Sequence, residues 1–336
     1  QRFIFCLDLL FLAILGIYIM FSQSATFDDV NQHAHSLQNW PQEYDQISAG
    51  RFEGFLEDIQ LDSVRVFRER MKQSVVQDTH TPKGKISLMI PHHVEASDAS
   101  EQARQILSSG ITVLPYESDF SFVGPTQLDY SIVSIDHQPL AELLSHDTYT
   151  RLIGFKKSYG VKMDADMLNT LRHDLALLVD NLRTVSETAS YAKQLFKAIE
   201  DKIIQFALTI YESEETHNNS LKRLGNQHNY IVQRCHEYVA SSEGSCASIV
   251  DICKALSIPH RTLNYSFHKA TGTSPMQYLR AVKLNAAKRE LITSGLSVTD
   301  VAANYGFFHM GYFSQEYRRL FGETPSMTRK RYADRV

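Results

Sequence analysis

A chain of 336 residues, 43% hydrophobic and 21% charged, has room for two ordinary domains with a core in each, and it is too apolar for a disordered chain. Its formal net charge of −4 hides an uneven distribution: Gly225 to Val336 holds 14 Lys/Arg and 8 Asp/Glu, a balance of +6, and the remainder holds 20 and 30, a balance of −10. An acidic front joined to a basic tail excludes a uniformly basic nucleic-acid binder and points to a partner-sensing part followed by a polyanion-binding part.

The first stretch, "FIFCLDLLFLAILGIYIMFS", spans Phe3 to Ser22 with Asp8 as its only charge. That length suits a membrane anchor, or the apolar region of a signal peptide with "SQSA" as its exit. The alternative is that residues 1–25 lie outside the folded unit, as translation from too early a start.

From Arg51 to about Asp136 the pattern predicts strands. "FEGFLEDIQL", "VRVFRERM", "GKISLMI", "GITVLPY" and "LDYSIVSI" are short apolar runs separated by Gly, Pro, Ser and Asp turn signals. Strands at this spacing suggest an antiparallel barrel or sandwich over 26–160, able to enclose a small ligand. Phe52, Phe55, Phe120 and Phe122 read as core rather than as a ligand cage. His92 and His93 are adjacent and would point to opposite faces of a strand, which makes a poor metal pair.

Helices follow over 161–212. In "DMLNTLRHDLALLVDNLRT", Leu168, Leu171, Leu175, Leu178 and Leu182 are spaced 3, 4, 3, 4, a seam of about two heptads. A second helix from Ser186 to about Glu212 would bury Leu195, Phe196, Ile199, Ile203 and Ile210. The pair is either a homodimer surface or a hairpin covering the open side of the barrel. Residues 213–229, polar and Asn-rich, read as a linker.

The tail, 230–336, contains an internal repeat. Asp251, Ile252 and Leu256 align with Asp300, Val301 and Tyr305 at an offset of 49. Beyond the turn the offset becomes 50, matching Leu263 with Phe313, Phe267 with Tyr317, Gly272 with Gly322 and Pro275 with Pro325. One residue has therefore entered the second turn. Each unit reads as a short helix, a turn, a second amphipathic helix and a glycine stop. Ser297 and Asp300 are placed for a capping box, and "TSP" starts a long helix with Ser274 as N-cap and Pro275 at its first position. Along that helix Lys283, Lys288 and Arg289 read as a solvated face.

"LSVTDVAANYGFFHMGYFSQEYRRLFGETP" resembles the signature of the AraC-type (AraC/XylS) transcriptional regulators, and "GTSPMQYLRAVKLNAAKREL" resembles their linker helix. The resemblance covers roughly Ser248 to Tyr332. It implies a seven-helix DNA-binding domain whose two recognition helices enter successive major grooves of double-stranded DNA. The strand-rich front followed by helices loosely resembles the effector-binding and dimerisation part of such regulators. The expected fold is therefore α+β: a barrel- or sandwich-like, cupin-like sensor part with a helical pair, then an all-α double helix-turn-helix domain.

Carried over position by position, the resemblance assigns base reading to Arg261, Asn264 and Tyr265 in the first unit and to Gly311, Tyr312 and Gln315 in the second. Arg261 suits bidentate pairing with guanine, and Asn264 and Gln315 suit adenine. Tyr265 stands where the family often has a basic residue, Ser257 where it often has glycine, and Pro259 where a capping Ser is common. Arg318, Arg319 and Lys330, with Arg329 and Arg331 beside them, are placed for phosphate contact. Tyr265, Tyr312 and His309 have the alternative of packing against a neighbouring helix.

Cys6, Cys235, Cys246 and Cys253 show no C-x-x-C pair and no His at zinc-finger spacing, so neither a disulfide framework nor a zinc site is expected. No dinucleotide, P-loop, nucleophile-elbow or zincin motif occurs, and no cofactor is expected. A similar DNA-binding module is found fused to cysteine-based alkyl-DNA repair, but these cysteines lack an adjacent base or metal. The reading is a cytoplasmic, nucleoid-associated, ligand-responsive dimeric regulator rather than an enzyme. Its partners would be DNA, an unknown small-molecule effector, a second copy and RNA polymerase; membrane tethering through 3–22 is the alternative.

Overall fold

In the computed structural model, which describes residues 21–93, 110–184, 189–216, 227–241 and 247–333, the strand-forming runs pair as two antiparallel sheets. The larger has the order β1-β3-β4-β9-β6-β7-β10, formed by β1 (Phe21–Phe27), β3 (Gly54–Gln60), β4 (Val64–Met71), β9 (Leu128–Asp136), β6 (Lys85–His93), β7 (Gly110–Val113) and β10 (Tyr159–Lys162). The smaller joins β2 (Gln42–Gln46), β5 (Val75–His80) and β8 (Asp119–Gly124). β1 pairs with β3 from Phe21 onward, so residues 21–25 belong to the sheet rather than to an outlying apolar segment. Most of the expected span from Phe3 to Ser22 lies outside the described residues, among which no helix is long and apolar enough to cross a membrane.

Period-2 alternation gives the larger sheet two buried faces. Leu56, Phe67, Met71, Tyr130 and Ile132 meet Tyr44, Val75 and Phe122 of the smaller sheet, and Trp40, Phe52 and helix α1 (Val30–Ala34) complete this core. Phe52 and Phe122 are thus core, as expected, while Phe55 is half-buried beneath the Arg70 guanidinium, 4.0 Å from its ring centre. Within this core the Glu69 carboxylate accepts the Tyr44 hydroxyl at 2.9 Å and lies 2.9 Å from His33 Nε2, so the buried acid is partnered. Of the expected barrel or sandwich, the described strands do not close into a barrel but form two facing sheets, and the edge backbone of β2 at Gln46 is taken up by a side chain of the tail instead of a strand.

The other face, with Ile59, Val66, Leu88, Val133 and Ile135, is covered by α2 (His137–Leu143), α3 (His146–Gly154), α4 (Ala165–Thr184) and α5 (Ala189–Thr216). Leu168, Leu171 and Leu175 of the leucine seam are buried in this core, together with Ile203 and Ile210 of α5. This half of the seam therefore packs on the sheet. The side chains of Leu178, Leu182, Leu195 and Phe196 lie outside the described set. Most of the expected linker does too: α5 reaches Thr216 and α6 starts at Gln227.

Among the described residues the tail forms seven helices: α6 (Gln227–Ala240), α7 (Ile249–Ala255), α8 (His260–Thr271), α9 (Pro275–Thr293), α10 (Val298–Asn304), α11 (Met310–Phe321) and α12 (Pro325–Ala333). Two cores result. Ile252, Leu263, Phe267 and Tyr278 centre the first, and Leu284, Val301, Phe313 and Tyr317 the second, with α9 contributing to both.

The tail is docked on the front through α9, and here the expected solvated face is overturned. Lys288 is 2% exposed; its Nζ lies 2.7 Å from Asp29 Oδ2 and 4.5 Å from the Phe321 ring centre. Arg289 pairs with Asp45 at 2.7 Å and Glu43 at 3.1 Å, and Lys283 donates to the Ala247 carbonyl at 3.0 Å. Lys288 and Arg289 face acids of the front, while Lys283 turns to the tail's own backbone, because α9 runs between the two parts and both of its sides are covered. Beside them His236 of α6 lies 2.6 Å from Asp78 of β5.

Burial raises the pKa of Asp29, but the Lys288 charge and the amides of Gln32 and Asn31 more than offset this, and its carboxyl is held below the usual carboxylate range. Its stabilisation is therefore present above the unfolded-state value of about 3.9 and is lost as pH falls through the lower folded value. Lys288→Met, which strands that carboxylate, should lower the unfolding free energy at neutral pH by about 3–5 kcal/mol. Urea unfolding at neutral and acidic pH should also find the variant losing less than the wild type on acidification. Equal stability at neutral pH would show that the pair is not a structural anchor.

Candidate nucleic-acid interface

The repeat is realised as two units with matching helix boundaries. α7 and α10 are related by the offset of 49, and α8 and α11 by the offset of 50. Ser248 and Asp251 form a full capping box at α7, with Ser248 N–H donating to Asp251 Oδ2 at 2.9 Å. Ser297 makes half of the expected one: its Oγ accepts Asp300 N–H at 3.1 Å and donates to the Asp300 carboxylate at 2.6 Å. Ser274 caps α9 in a box with Gln277, with Pro275 following, as its sequence indicates.

The extra residue of the second turn can be identified. Ile258 packs against the first core and Phe307 is buried in the second; Pro259 and His309 are the N-cap residues of α8 and α11. Between Phe307 and His309 stands Phe308, 80% exposed. The sequence signal for it is the change of offset, which marks one residue in that turn as having no counterpart.

On α8, Arg261 and Tyr265 are exposed and Asn264 is half-buried. Tyr265 sets its ring edge-on to His228 of α6, with centroids 5.1 Å apart, yet keeps 55% exposure. On α11, Gly311, Tyr312 and Gln315 are exposed, and the Arg280 guanidinium of α9 lies 5.3 Å from the Tyr312 ring centre while pairing with Glu316 at 2.9 Å. Both tyrosines thus touch a neighbouring helix and still present a face to solvent. Arg318, Arg319 and Lys330 are exposed, Arg319 lying 3.7 Å from Glu316. Among the described residues, no hydrogen bond or ion pair engages the side chains of Arg261, Gln315, Arg318 or Lys330. Arg331 is turned instead toward Glu323 at 3.0 Å and Asp28 at 3.4 Å, where it braces the seam with the front.

The other candidate chemistries find no support in the geometry. Burial pushes the Cys235 thiol up to about 12, away from the thiolate that alkyl transfer would need. His92 is held by Ser131 Oγ at 2.7 Å, and burial, then the nearby Arg68 charge, push its pKa down to about 4. Among the described residues, no group of three His, Cys, Asp or Glu could hold a metal ion.

A helix-turn-helix domain family, HTH_18, matches residues 252–331. The XylDLEGF operon transcriptional activator 2 of Pseudomonas putida is 34% identical over 118 residues, 34% of this chain and 75% of its own. The XylDLEGF operon transcriptional activator 1 of the same organism is 28% identical over 166 residues, 48% of this chain and 50% of its own. Beyond the first relative, the chain spans about half or less of the curated relatives that follow. The crystal structure of ToxT from Vibrio cholerae O395 overlaps 88% of this chain and 99% of its own at 13% identity, with a TM-score of 0.31.

The two turns reach the left-handed region by different means: Gly306 at φ +80° and Ser257 at φ +54°. A Cβ on Gly306 would meet nothing within 4 Å, so its cost would be backbone strain alone. Gly306→Ala should therefore lower the unfolding free energy by about 1–2 kcal/mol in urea titration. An unchanged midpoint would mean that the turn relaxes without glycine.

Proposed function

Because the chain belongs to the AraC/XylS family of DNA-binding transcriptional regulators, we propose that it is a sequence-specific regulator whose α8 and α11 enter successive major grooves on one face of double-stranded DNA. The observation that carries this reading is the pair of like-capped units on one shared helix, each with an exposed second helix. α9, 19 residues long, extends about 28 Å, comparable with the roughly 34 Å of one DNA turn.

In this reading the Arg261 guanidinium pairs with guanine N7 and O6, and Asn264 and Gln315 pair with adenine. The second unit reads differently: Gly311 allows close backbone approach, and Phe308 and Tyr312 offer apolar surface suited to thymine methyl groups. Arg318, Arg319 and Lys330 take phosphates, and Tyr265 borders the first groove. The front is proposed as the effector-sensing part, with RNA polymerase and a second copy as further partners. Room for a small molecule exists beside the seam, in a cleft of about 540 Å³ bordered by Glu43, Asp78, His80, Phe120 and Glu237. A second copy would meet other surface than the buried leucines, such as Met167 and Leu177, exposed on α4.

Selection of bound duplexes from a random pool, using the full chain, tests the reading. Two short enriched blocks about one helical turn apart are expected; a single block, or salt-sensitive binding with no motif, would overturn it. On the selected site Arg261→Ala should cost about 1–3 kcal/mol and relax the preference at one base pair. Uniform weakening on all sequences would make Arg261 a phosphate contact instead. Arg319→Ala should weaken every sequence alike and lower the salt slope by about 1, and an unchanged slope would remove it from the interface.

A further inference from the structure

We propose that the segment from Gln46 to Arg51, which belongs to the front sheet part, is a positioning element for DNA reading: it grips α9 and the C-terminal end of α11, so the front sets the separation at which the two recognition helices meet DNA. The proposal rests on the two-groove reading above, and four contacts carry it.

First, Asn285, fully buried on α9, treats the end of β2 as a neighbouring strand would. Its Oδ1 accepts the Gln46 N–H at 3.1 Å and its Nδ2 donates to the Gln46 carbonyl at 2.8 Å. Second, the closing carbonyls of a helix have no partner within it. At α11 the carbonyls of Arg319 and Leu320 both accept the Gly50 N–H at 3.1 Å, and Leu320 also accepts from Gln46 Nε2 at 2.6 Å. Third, Ile47 packs against the cores of both helix-turn-helix units. Fourth, the backbone of Arg51 sits where a Cβ on Gly322 would come within 3.0 Å, so the glycine that stops α11 also admits the segment.

The first unit is clamped to the same sheet independently. Val76 and Val123 of β5 and β8 enter its core, and Asp78 holds His236 of α6. The two units therefore share a rigid reference besides α9, and the exposed reading residues Arg261, Tyr265, Gly311, Tyr312 and Gln315 stay clear of it. Gln46 and Asn285 do not touch DNA in this arrangement; they act through the placement of α11.

The test is a set of duplexes carrying the two selected blocks at the selected separation and at separations one and two base pairs shorter and longer. Binding is measured by fluorescence anisotropy with full-length wild type, Asn285→Ala and Gln46→Ala, each checked by thermal unfolding. Gln46→Ala removes the side-chain bond to Leu320 but leaves the strand backbone intact, so it serves if the buried Asn285 variant does not fold. The wild type should favour one separation by about tenfold. Either folded variant should flatten this to about threefold or less while keeping the block sequences and the salt slope. Folded variants that keep the wild-type preference, or lose affinity equally at every separation, would overturn the positioning role and leave two-groove reading standing. A wild type indifferent to separation would remove both.

Discussion

A lysine ammonium buried between the two parts of the chain constrains everything around it. With Lys288 2% exposed, its charge must be met inside, and Asp29 at the N-terminus of α1 meets it, with Glu323 3.8 Å away at the start of the last turn. Such a pair gains little over an apolar seam but tolerates no loss of either member. It thereby specifies one docking of α9 on the front, because another register would bury a bare charge.

The smaller sheet is built around that docking. Its strands β2 and β5 carry Asp45, Gln46, Gln77 and Asp78. One face gives Tyr44, Val75 and Phe122 to the sandwich core; polar groups elsewhere on β2 and β5 meet Asn285, Arg289 and His236. The sheet pairs with a helical domain at the edge where a barrel would have closed, and the unmet strand hydrogen bonds go to an asparagine side chain.

The duplicated units share a frame and differ at their exposed faces. Caps, apolar stripes and the stops at Gly272 and Gly322, with φ of +72° and +73°, are common to both, since each short helix needs the same termination. Outside that frame the first unit offers a guanidinium and a carboxamide. The second also offers a carboxamide, Gln315, but beside a glycine, an added exposed Phe308 and Tyr312, the latter steadied by Arg280. The two units thus share their scaffold and differ in the chemistry of their exposed faces.

Strict local patterns were legible in the sequence. The five apolar runs became β3, β4, β6, β7 and β9, and the repeat offsets of 49 and 50 recur in the helix boundaries, because periodicity and turn residues act within a few positions of chain. The strands "QEYDQ" and "VVQDTH" were not legible, since their acids are met by partners far along the chain, Asp45 by Arg289, 244 positions away, and Asp78 by His236, 158 positions away. The same distance hid the roles of Lys288 and Arg289: a cation on a helix looks solvated until the element that covers it is known. The sequence by itself determined that two capped helical units exist and which of their residues point outward. Only the tertiary structure decided that these units are held against the front sheet, because the burial that turns a surface charge into an anchor is a property of two surfaces meeting.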